Sequence, residues 1–285
     1  MSKMQDVAPF LVTAFASLVF VISSATPARA EDPKEIVQEA VNTEMEAGKS
    51  DHTKWIFYET DRKPGHTVKQ WVAQTPKGSL ERVLEENGRS TNEQEQKSRI
   101  ESFIQDGSAQ EKQRKAGQQD DRESGKMLSM MPHAFLWEIA SSQGDNITLH
   151  FKPNPAYHAP DMESRVFAVT EGDMIVTKTE HRIATIKGRM TKAVKFAGGL
   201  FGSLDPGGTF DIERRQTGNG EWQITETHVH IHGHLLFFKT ISDQEDDVKT
   251  KFKQLPENIS FQEAEMELMS PSLNAKSAEQ KTGSD

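Results

Sequence analysis

The sequence predicts a mainly β fold, an antiparallel sheet of about eleven strands covered by an N-terminal helix and an inserted helical segment. Short runs rich in β-branched and aromatic residues recur between turn residues over much of the chain. An amphipathic stripe at helical spacing precedes these runs. A polar stretch at about 90–131 interrupts them. Together these observations predict a single domain over residues 31–255.

Residues 1–30 have the pattern of a cleaved signal peptide. Lys3 supplies a positive charge, residues 10–22 are mainly apolar, and Ala28-Arg29-Ala30 places small residues where a signal peptidase cuts. An uncleaved membrane anchor is the alternative. Against it, Ser and Thr interrupt the apolar run, and polar residues follow it at once. We therefore expect an exported, soluble mature protein that begins at Glu31.

Composition excludes several classes of function. The chain has no cysteine, which rules out disulfides, thiol catalysis and cysteine-based zinc sites. Its net charge of −9 does not provide the basic field that attracts a phosphate backbone, so we expect no nucleic-acid partner. A domain of this length buries enough apolar surface to fold without disulfides.

The mature chain is predicted to open with a helix. Asp32 is a natural N-cap, Pro33 suits the first helical position, and Glu35 stands three residues after the cap. Gly48 is expected to end the segment. The apolar stripe of this helix comprises Ile36, Val37, Ala40, Val41 and Met45. One face of the helix should therefore cover the sheet.

The predicted strands are joined mostly by short turns, which pair neighbours antiparallel. Glu171-Gly172-Asp173 and Gly218-Asn219-Gly220 are predicted hairpin turns. The strands are Lys54–Thr60, His66–Thr75, Leu80–Glu85, Phe135–Ser142, Asn146–Lys152, Glu163–Thr170, Met174–Thr179, Arg182–Met190, Gly208–Gln216, Glu221–His232 and His234–Ile241.

The inserted segment is predicted to contain two helices. One includes Ile100, Phe103 and Ile104, and the other follows Gly117 and includes the apolar residues between 127 and 131. The apolar ends of the insertion should dock on the sheet. Beyond residue 255 the chain loses its β pattern and becomes polar, so residues 256–285 are predicted to be a disordered tail.

A histidine-rich strand is the sharpest local pattern. Residues two apart share a face of a strand, so His228, His230 and His232 should project together, with Glu226 on the same face. This geometry suits zinc or copper when a neighbouring strand adds a ligand. The alternative is that the histidines lie on a solvated face of the strand, opposite core residues Val229 and Ile231. Such a face needs no metal.

A glycine-rich apolar segment spans residues 193–208 but lacks the Gly-Lys-Ser/Thr ending of a phosphate loop. One interpretation is a tight crossover between strands, with Pro206-Gly207-Gly208 as its turn. The other is an apolar lid over a groove, formed by Phe196, Leu200 and Phe201.

No catalytic or cofactor motif stands out. Gly202-Ser203 is followed by Leu204-Asp205, which breaks the pattern of a nucleophile elbow. The chain also contains no His-Glu-x-x-His zinc motif. We therefore expect neither an enzyme nor a protein with a cofactor.

Four further segments carry a resemblance to known proteins: Met131-Pro132-His133-Ala134-Phe135, which leads into Ile147–Pro155, and Gly207–Ile212 together with Gly220-Glu221-Trp222. They are similar to segments of a family of exported bacterial proteins. The order of elements over about residues 33–245 resembles the periplasmic half-barrel of outer-membrane lipoprotein carriers and receptors, and of a sensor domain that partners an anti-sigma factor. Those carriers lack an insertion like Asn92–Gly125.

The resemblance implies a curved half-barrel sheet in a periplasmic monomer that binds lipid or lipoprotein acyl chains, with a possible membrane or outer-membrane partner protein. A curved sheet with one apolar face and a removable helical cover would form a lipid groove. Candidate lining residues are Trp55, Phe57, Trp71, Phe167, Phe210, Phe237 and Phe238. The alternative is that these aromatic residues pack beneath permanently docked helices.

Overall fold

The computed structural model describes residues 31–161, 163–196, 202–218, 220–235 and 239–273. The predicted signal peptide, residues 1–30, lies outside the described residues. So do Leu200 and Phe201 of the candidate lid and Phe237 and Phe238 of the candidate groove.

Within the described residues, thirteen strands form one antiparallel sheet that does not close into a barrel. Their order across the sheet is β4-β3-β2-β1-β13-β12-β11-β8-β7-β6-β5, and β10 pairs with both β12 and β9. The strands are β1 Lys54–Lys63, β2 His66–Thr75, β3 Gly78–Glu86, β4 Arg89–Ser90, β5 Phe135–Gln143, β6 Asn146–Pro153, β7 Thr170–Thr177, β8 Ile183–Met190, β9 Val194–Phe196, β10 Gly202–Leu204, β11 Thr209–Thr217, β12 Glu221–Leu235 and β13 Lys239–Leu255.

The mainly β antiparallel class is confirmed, but two of the predicted strands are wrong. His234–Ile241 is not one strand, because His234 and Leu235 end β12 whereas residues 239–241 begin β13. The other is Glu163–Thr170. Residues Glu163–Val169 form a 3-10 helix, η1. Side chains at both ends of this segment bond locally: Ser164 Oγ donates to Asp161 Oδ1 at 2.8 Å, and Thr170 Oγ1 donates to the Val166 carbonyl at 2.7 Å. Such bonds favour a turn over a sheet ladder.

The predicted turn at Glu171-Gly172-Asp173 is also wrong, because β7 runs straight through it. Gly172 pairs directly with Gly188 of β8. A Cβ at Gly172 would lie 1.9 Å from the Lys187 carbonyl oxygen, so the two backbones approach more closely than any side chain permits. These glycines serve strand contact rather than chain reversal.

Four α-helices lie among the described residues: α1 Pro33–Ser50, α2 Glu93–Gln105, α3 Gly107–Ala134 and α4 Phe261–Leu268. Asp32 caps α1 as predicted, accepting from the Lys34 amide at 2.9 Å. None of these helices combines the length and apolar character needed to cross a bilayer.

The inserted helices and the C-terminal segment differ from the prediction. α3 starts at residue 107, where Asp106 caps it, and continues through Gly117. α4 occupies part of the segment expected to be disordered, and it begins with a capping box between Ser260 and Glu263. The apolar pattern of α4 is too short to stand out in a sequence.

Helices cover both faces of the sheet, but each face is covered at a different end of the sheet. We call the face under α1 the α1 face. From β6 to β13, the following residues of this face are direct cross-strand partners on successive strands: Phe151, Gly172, Gly188, Phe210, Val229 and Glu245. The core on this face, at the β5–β8 end, is built from Val37, Ala40 and Val41 of α1, Met131 and Ala134 of α3, and Leu149, Phe151, Met174 and Val176 of the strands.

The opposite face, which we call the α4 face, is covered at the β1–β3 end by α2 and α4. Its core contains Ile56, Tyr58, Trp71, Ala73, Leu80, Ile100, Phe261, Ala264 and Leu268. The three strand histidines lie on the same face farther along the sheet, since His228 pairs with Asp246 and Asp246 pairs with Arg62. One sheet therefore carries two helical covers on opposite faces.

Candidate functional site

A second apolar cluster lies on the α1 face at the β1 end of the sheet. Trp55 and Phe57 of β1 pack with Val72 of β2 and Phe252 of β13, and we call these four residues the β1 apolar cluster. The Phe57 and Phe252 rings lie 5.3 Å apart, and Trp55 meets Phe252 edge-on at 6.0 Å. Trp55 is 2% exposed and Phe57 is 6% exposed.

The other described groove candidates lie elsewhere. Trp71 belongs to the core under α4, because it pairs with Tyr58, which points away from Phe57. Phe167 is buried in the core under α1, and Phe210 packs against that core. The candidates are thus divided among three clusters on two faces. Strand registers set this division, and registers depend on contacts between distant residues.

A row of ionisable side chains extends from the β1 apolar cluster along the same face. Its members on β1 are Lys63, Asp61 and Glu59, and its members on β13 are Glu245, Asp247 and Lys249; we call these six residues the inner charge row. Lys63 Nζ contacts Glu245 at 2.9 Å and Asp61 Oδ2 at 3.1 Å. Lys249 Nζ contacts Asp247 Oδ2 at 2.6 Å.

Three polar atoms near this row have no hydrogen-bond partner among the described residues although they are buried: Trp55 Nε1, Asp61 Oδ1 and Asp247 Oδ1. Buried polar groups are nearly always paired in folded proteins. The sequence shows only a common strand pattern of alternating acids and lysines here. Nothing in it marks two of the acids as directly opposed, because β1 and β13 are almost 200 residues apart in the chain.

Burial and charge together shift the pKa values of the inner charge row. Burial and the nearby Asp247 raise the pKa of Glu59, although a hydrogen bond from Gln70 opposes the shift. Burial tends to lower the pKa of Lys249, but Asp247 and Glu59 outweigh it and raise that pKa. The Lys249 shift reflects the negative charges beside it, whereas burial is the main cause of the Glu59 shift.

The strand histidines share one carboxylate on the α4 face. Asp246 Oδ1 lies 2.6 Å from Nδ1 of His228 and 3.2 Å from Nε2 of His230. Nε2 of His228 lies 3.6 Å from Glu226, and His232 contacts Gln244 instead. The hydrogen bond to Asp246 is the main reason that the pKa of His228 is raised.

No group of three or more His, Asp or Glu side chains converges as a metal centre anywhere in the described part of the chain. His228 and His230 lie close together, as the alternation predicts, but Asp246 bridges their rings. The third predicted ligand, His232, is directed to a different partner.

Charged residues form a continuous row across the α4 face. Direct cross-strand partners run in the order Arg62, Asp246, His228, Asp211, Lys187, Asp173, His150 and Glu138. A shallow depression of about 520 Å³ crosses this row between His150 and His228 and includes Lys187 and Arg189. Ion pairs within the row link Lys187 to Asp211 and His150 to Asp173, each at 2.9 Å.

The glycine-rich segment contains the predicted turn. Gly207 has φ +86°, its amide donates to the Met190 carbonyl at 2.7 Å, and the Met190 amide donates to the Gly208 carbonyl at the same distance. The flanking strands β9 and β10 pair antiparallel with each other. Of the candidate lid residues, Phe196 ends β9.

Comparison with known proteins gives no match: no family model, curated protein or solved structure is significantly similar to this chain.

Proposed function

We propose that this chain is an exported, periplasmic, non-enzymatic binding protein that holds the apolar chain of a lipid or lipoprotein on the α1 face. The observation that carries the proposal is the β1 apolar cluster. It lies on the face that α1 covers at the β5–β8 end, but it belongs to a separate cluster from the core beneath α1. The open sheet thus bears a second apolar surface at its other end.

The cluster suits an alkyl chain in size and chemistry. Each buried Trp or Phe offers about 150–250 Å² of surface, and burial of apolar area contributes about 25 cal/mol per Å². The side chains of Trp55 and Phe57 are already shielded. A ligand must therefore replace existing contacts, so entry requires the elements around the cluster to separate.

The test is direct binding of an uncharged alkyl ligand. Native mass spectrometry of protein purified from the exporting cell should show copurified acyl species, and the delipidated protein should bind decanol saturably. The Phe252→Ala variant should bind decanol more weakly, because it removes a partly buried ring of the cluster. Phe103→Ala is the matched control, since Phe103 is a partly buried ring under the opposite cover. Absence of both acyl species and decanol binding would refute the proposal.

Metal binding through the strand histidines is a second candidate. The observation that favours it is the convergence of His228 and His230 on Asp246. Asp246 contacts only one nitrogen of each ring, so zinc or copper would bind the other nitrogens, Nε2 of His228 and Nδ1 of His230. Calorimetry with zinc on the protein and on a His230→Ala, His232→Ala variant tests this candidate. Zinc binding that is unchanged in the variant would exclude His230 and His232 as ligands.

A further inference from the structure

We propose that Asp61 and Asp247 bind the ammonium group of an amine-bearing amphiphile whose apolar chain lies on the β1 apolar cluster. This inference rests on the proposed function and specifies the ligand class. It takes the ligand's polar end to be cationic rather than neutral or anionic.

Two carboxylates of the inner charge row face each other across neighbouring strands. Asp61 of β1 and Asp247 of β13 are direct cross-strand partners and project to the same face. Partners of this kind have Cβ atoms about 5 Å apart, and like charges at such positions destabilise a sheet. Lys63 and Lys249 already pair with one carboxylate each, and a further cation between the two carboxylates would reduce the repulsion that remains.

Each of these carboxylates contacts a lysine through only one of its two oxygens. Lys63 contacts Asp61 through Oδ2, and Lys249 contacts Asp247 through Oδ2. The remaining oxygen of each carboxylate, Oδ1, is buried and has no hydrogen-bond partner among the described residues. Asp247 is 8% exposed. Two neighbouring buried acceptors therefore lack donors, and an ammonium group carries N–H donors for both.

The net charge of the inner charge row favours a cationic ligand. The inner charge row has four carboxylates and only two lysines, which leaves an excess of negative charge on a partly buried surface. The raised pKa of the buried Lys249 has its origin in the same excess. A cationic head group fits this potential, whereas a fatty-acid carboxylate would be repelled. The absence of a three-ligand group among the described residues favours an organic ammonium over a divalent metal.

The two carboxylates and the β1 apolar cluster lie a short distance apart along the sheet. Asp61 and Phe57 lie on the same face of β1, four residues apart, which corresponds to about 13 Å along a strand. The row and the apolar cluster therefore follow one another along a single strand. Lys249 lies between the carboxylates and the cluster, with Nζ 5.9 Å from the centre of the Phe57 ring, so an extended amphiphile with its amine on Asp61 and Asp247 would displace Lys249 where its chain reaches Phe57.

The experiment compares three ligands with the same chain and different head groups: decylamine, decanol and decanoate, each below its micellar concentration. Calorimetry on the purified protein should show decylamine binding at least about tenfold more tightly than decanol, because a charge-assisted hydrogen bond is stronger than a neutral one. Decanoate should bind most weakly. The Asp61→Asn and Asp247→Asn variants should each lose most of the preference for the amine and retain the binding of decanol.

Asp246→Asn is the matched control, because Asp246 neighbours Asp247 in sequence but projects to the α4 face. It should keep the preference for decylamine. Equal binding of the three ligands to the wild-type protein would overturn this inference and leave the proposed function standing. Binding of none of them would overturn the proposed function as well. Circular dichroism confirms that each variant is folded before it is compared.

Discussion

The Glu44 carboxylate on α1 accepts hydrogen bonds from both Nε and Nη2 of Arg182, each at 3.1 Å. The amide of Ile183 donates to the same carboxylate at 2.8 Å, and Arg214 of β11 also contacts it. Glu44 is 8% exposed. These contacts fix α1 to β8 and β11, so any separation that admits a ligand to the α1 face must occur elsewhere, toward β1.

The first prediction concerns the strength of this attachment. Glu44→Gln removes the buried negative charge and leaves two arginines unpaired, so the free energy of unfolding should fall by about 3–5 kcal/mol. Urea unfolding followed by tryptophan fluorescence measures the loss. Glu46→Gln is the control on the same helix, because Glu46 is exposed and, among the described residues, its carboxylate pairs only with the exposed Lys49. It should change stability by less than about 0.5 kcal/mol. Equal effects of the two substitutions would contradict a buried attachment.

The second prediction is the pH dependence of the same contact. Burial favours the neutral acid, but hydrogen bonds from Arg182 and Arg214 outweigh it, so the pKa of Glu44 lies below its ordinary value of 4.5. A lowered pKa contributes stability above the unfolded-state value and loses it as the pH falls through the folded-state value. The stability difference between wild type and Glu44→Gln should therefore shrink on acidification below 4.5. A difference that is independent of pH would show that Glu44 is not ionised in the folded protein.

Local patterns in the sequence predict α1 well and its attachment poorly. Asp32, Pro33 and the apolar stripe identify the helix and its buried side without any tertiary information. Glu44 lies on that buried side, but its partner Arg182 is 138 residues away in sequence. Only the packing of α1 across β8 brings them together. A polar residue within an apolar stripe is the one local signal of such a contact.

At the candidate site, too, local sequence patterns predict which residues share a face but not which distant residues contact them. The alternation of Thr227–His234 predicts that the histidines share a face, and the ladder with β13 places them so. Which residue faces them depends on the register of a strand that the sequence pattern ended too early, since β13 continues to Leu255. Asp246 was therefore missed. Asp61 and Asp247 were missed for the same reason, because each looks solvent-exposed until its partner strand is known.

The third prediction concerns His228. The hydrogen bond to Asp246 raises the pKa of His228 above 6.5, with further contributions from Glu226 and Asp211. Asp246→Asn should lower that pKa, as measured by NMR titration of the histidine ring. The raised pKa contributes stability that is complete below 6.5 and is lost as the pH rises through the folded-state value. The variant should lose this part of the pH dependence.

Glu138→Gln is the control for His228, because Glu138 belongs to the same row of charges but lies on the edge strand β5, whereas His228 lies on the central strand β12. It should leave the titration of His228 unchanged. If Asp246→Asn has no more effect than Glu138→Gln, the short contact between His228 and Asp246 does not persist in solution.

Arg82 links the second cover of the sheet to its strands. Its side chain, on β3, is buried, donates from Nη1 to the Leu268 carbonyl of α4 at 2.7 Å, and donates from Nε to Gln96 of α2 at 2.8 Å. A buried arginine directed at a helix C-terminus satisfies a carbonyl that the helix itself leaves unpaired. α4 is therefore an integral part of the domain, although the composition around it predicts a disordered tail.

The fourth prediction follows from that docking. Leu268 is fully buried among Trp71, Ile100 and their neighbours, so Leu268→Ala should lower the free energy of unfolding by about 2–5 kcal/mol through lost packing and the cavity it leaves. Met266→Ala, on the same helix but 66% exposed, should change it by less than about 0.5 kcal/mol. Urea unfolding of both variants measures the contrast. If Leu268→Ala were as mild as Met266→Ala, α4 would be detached from this core in solution.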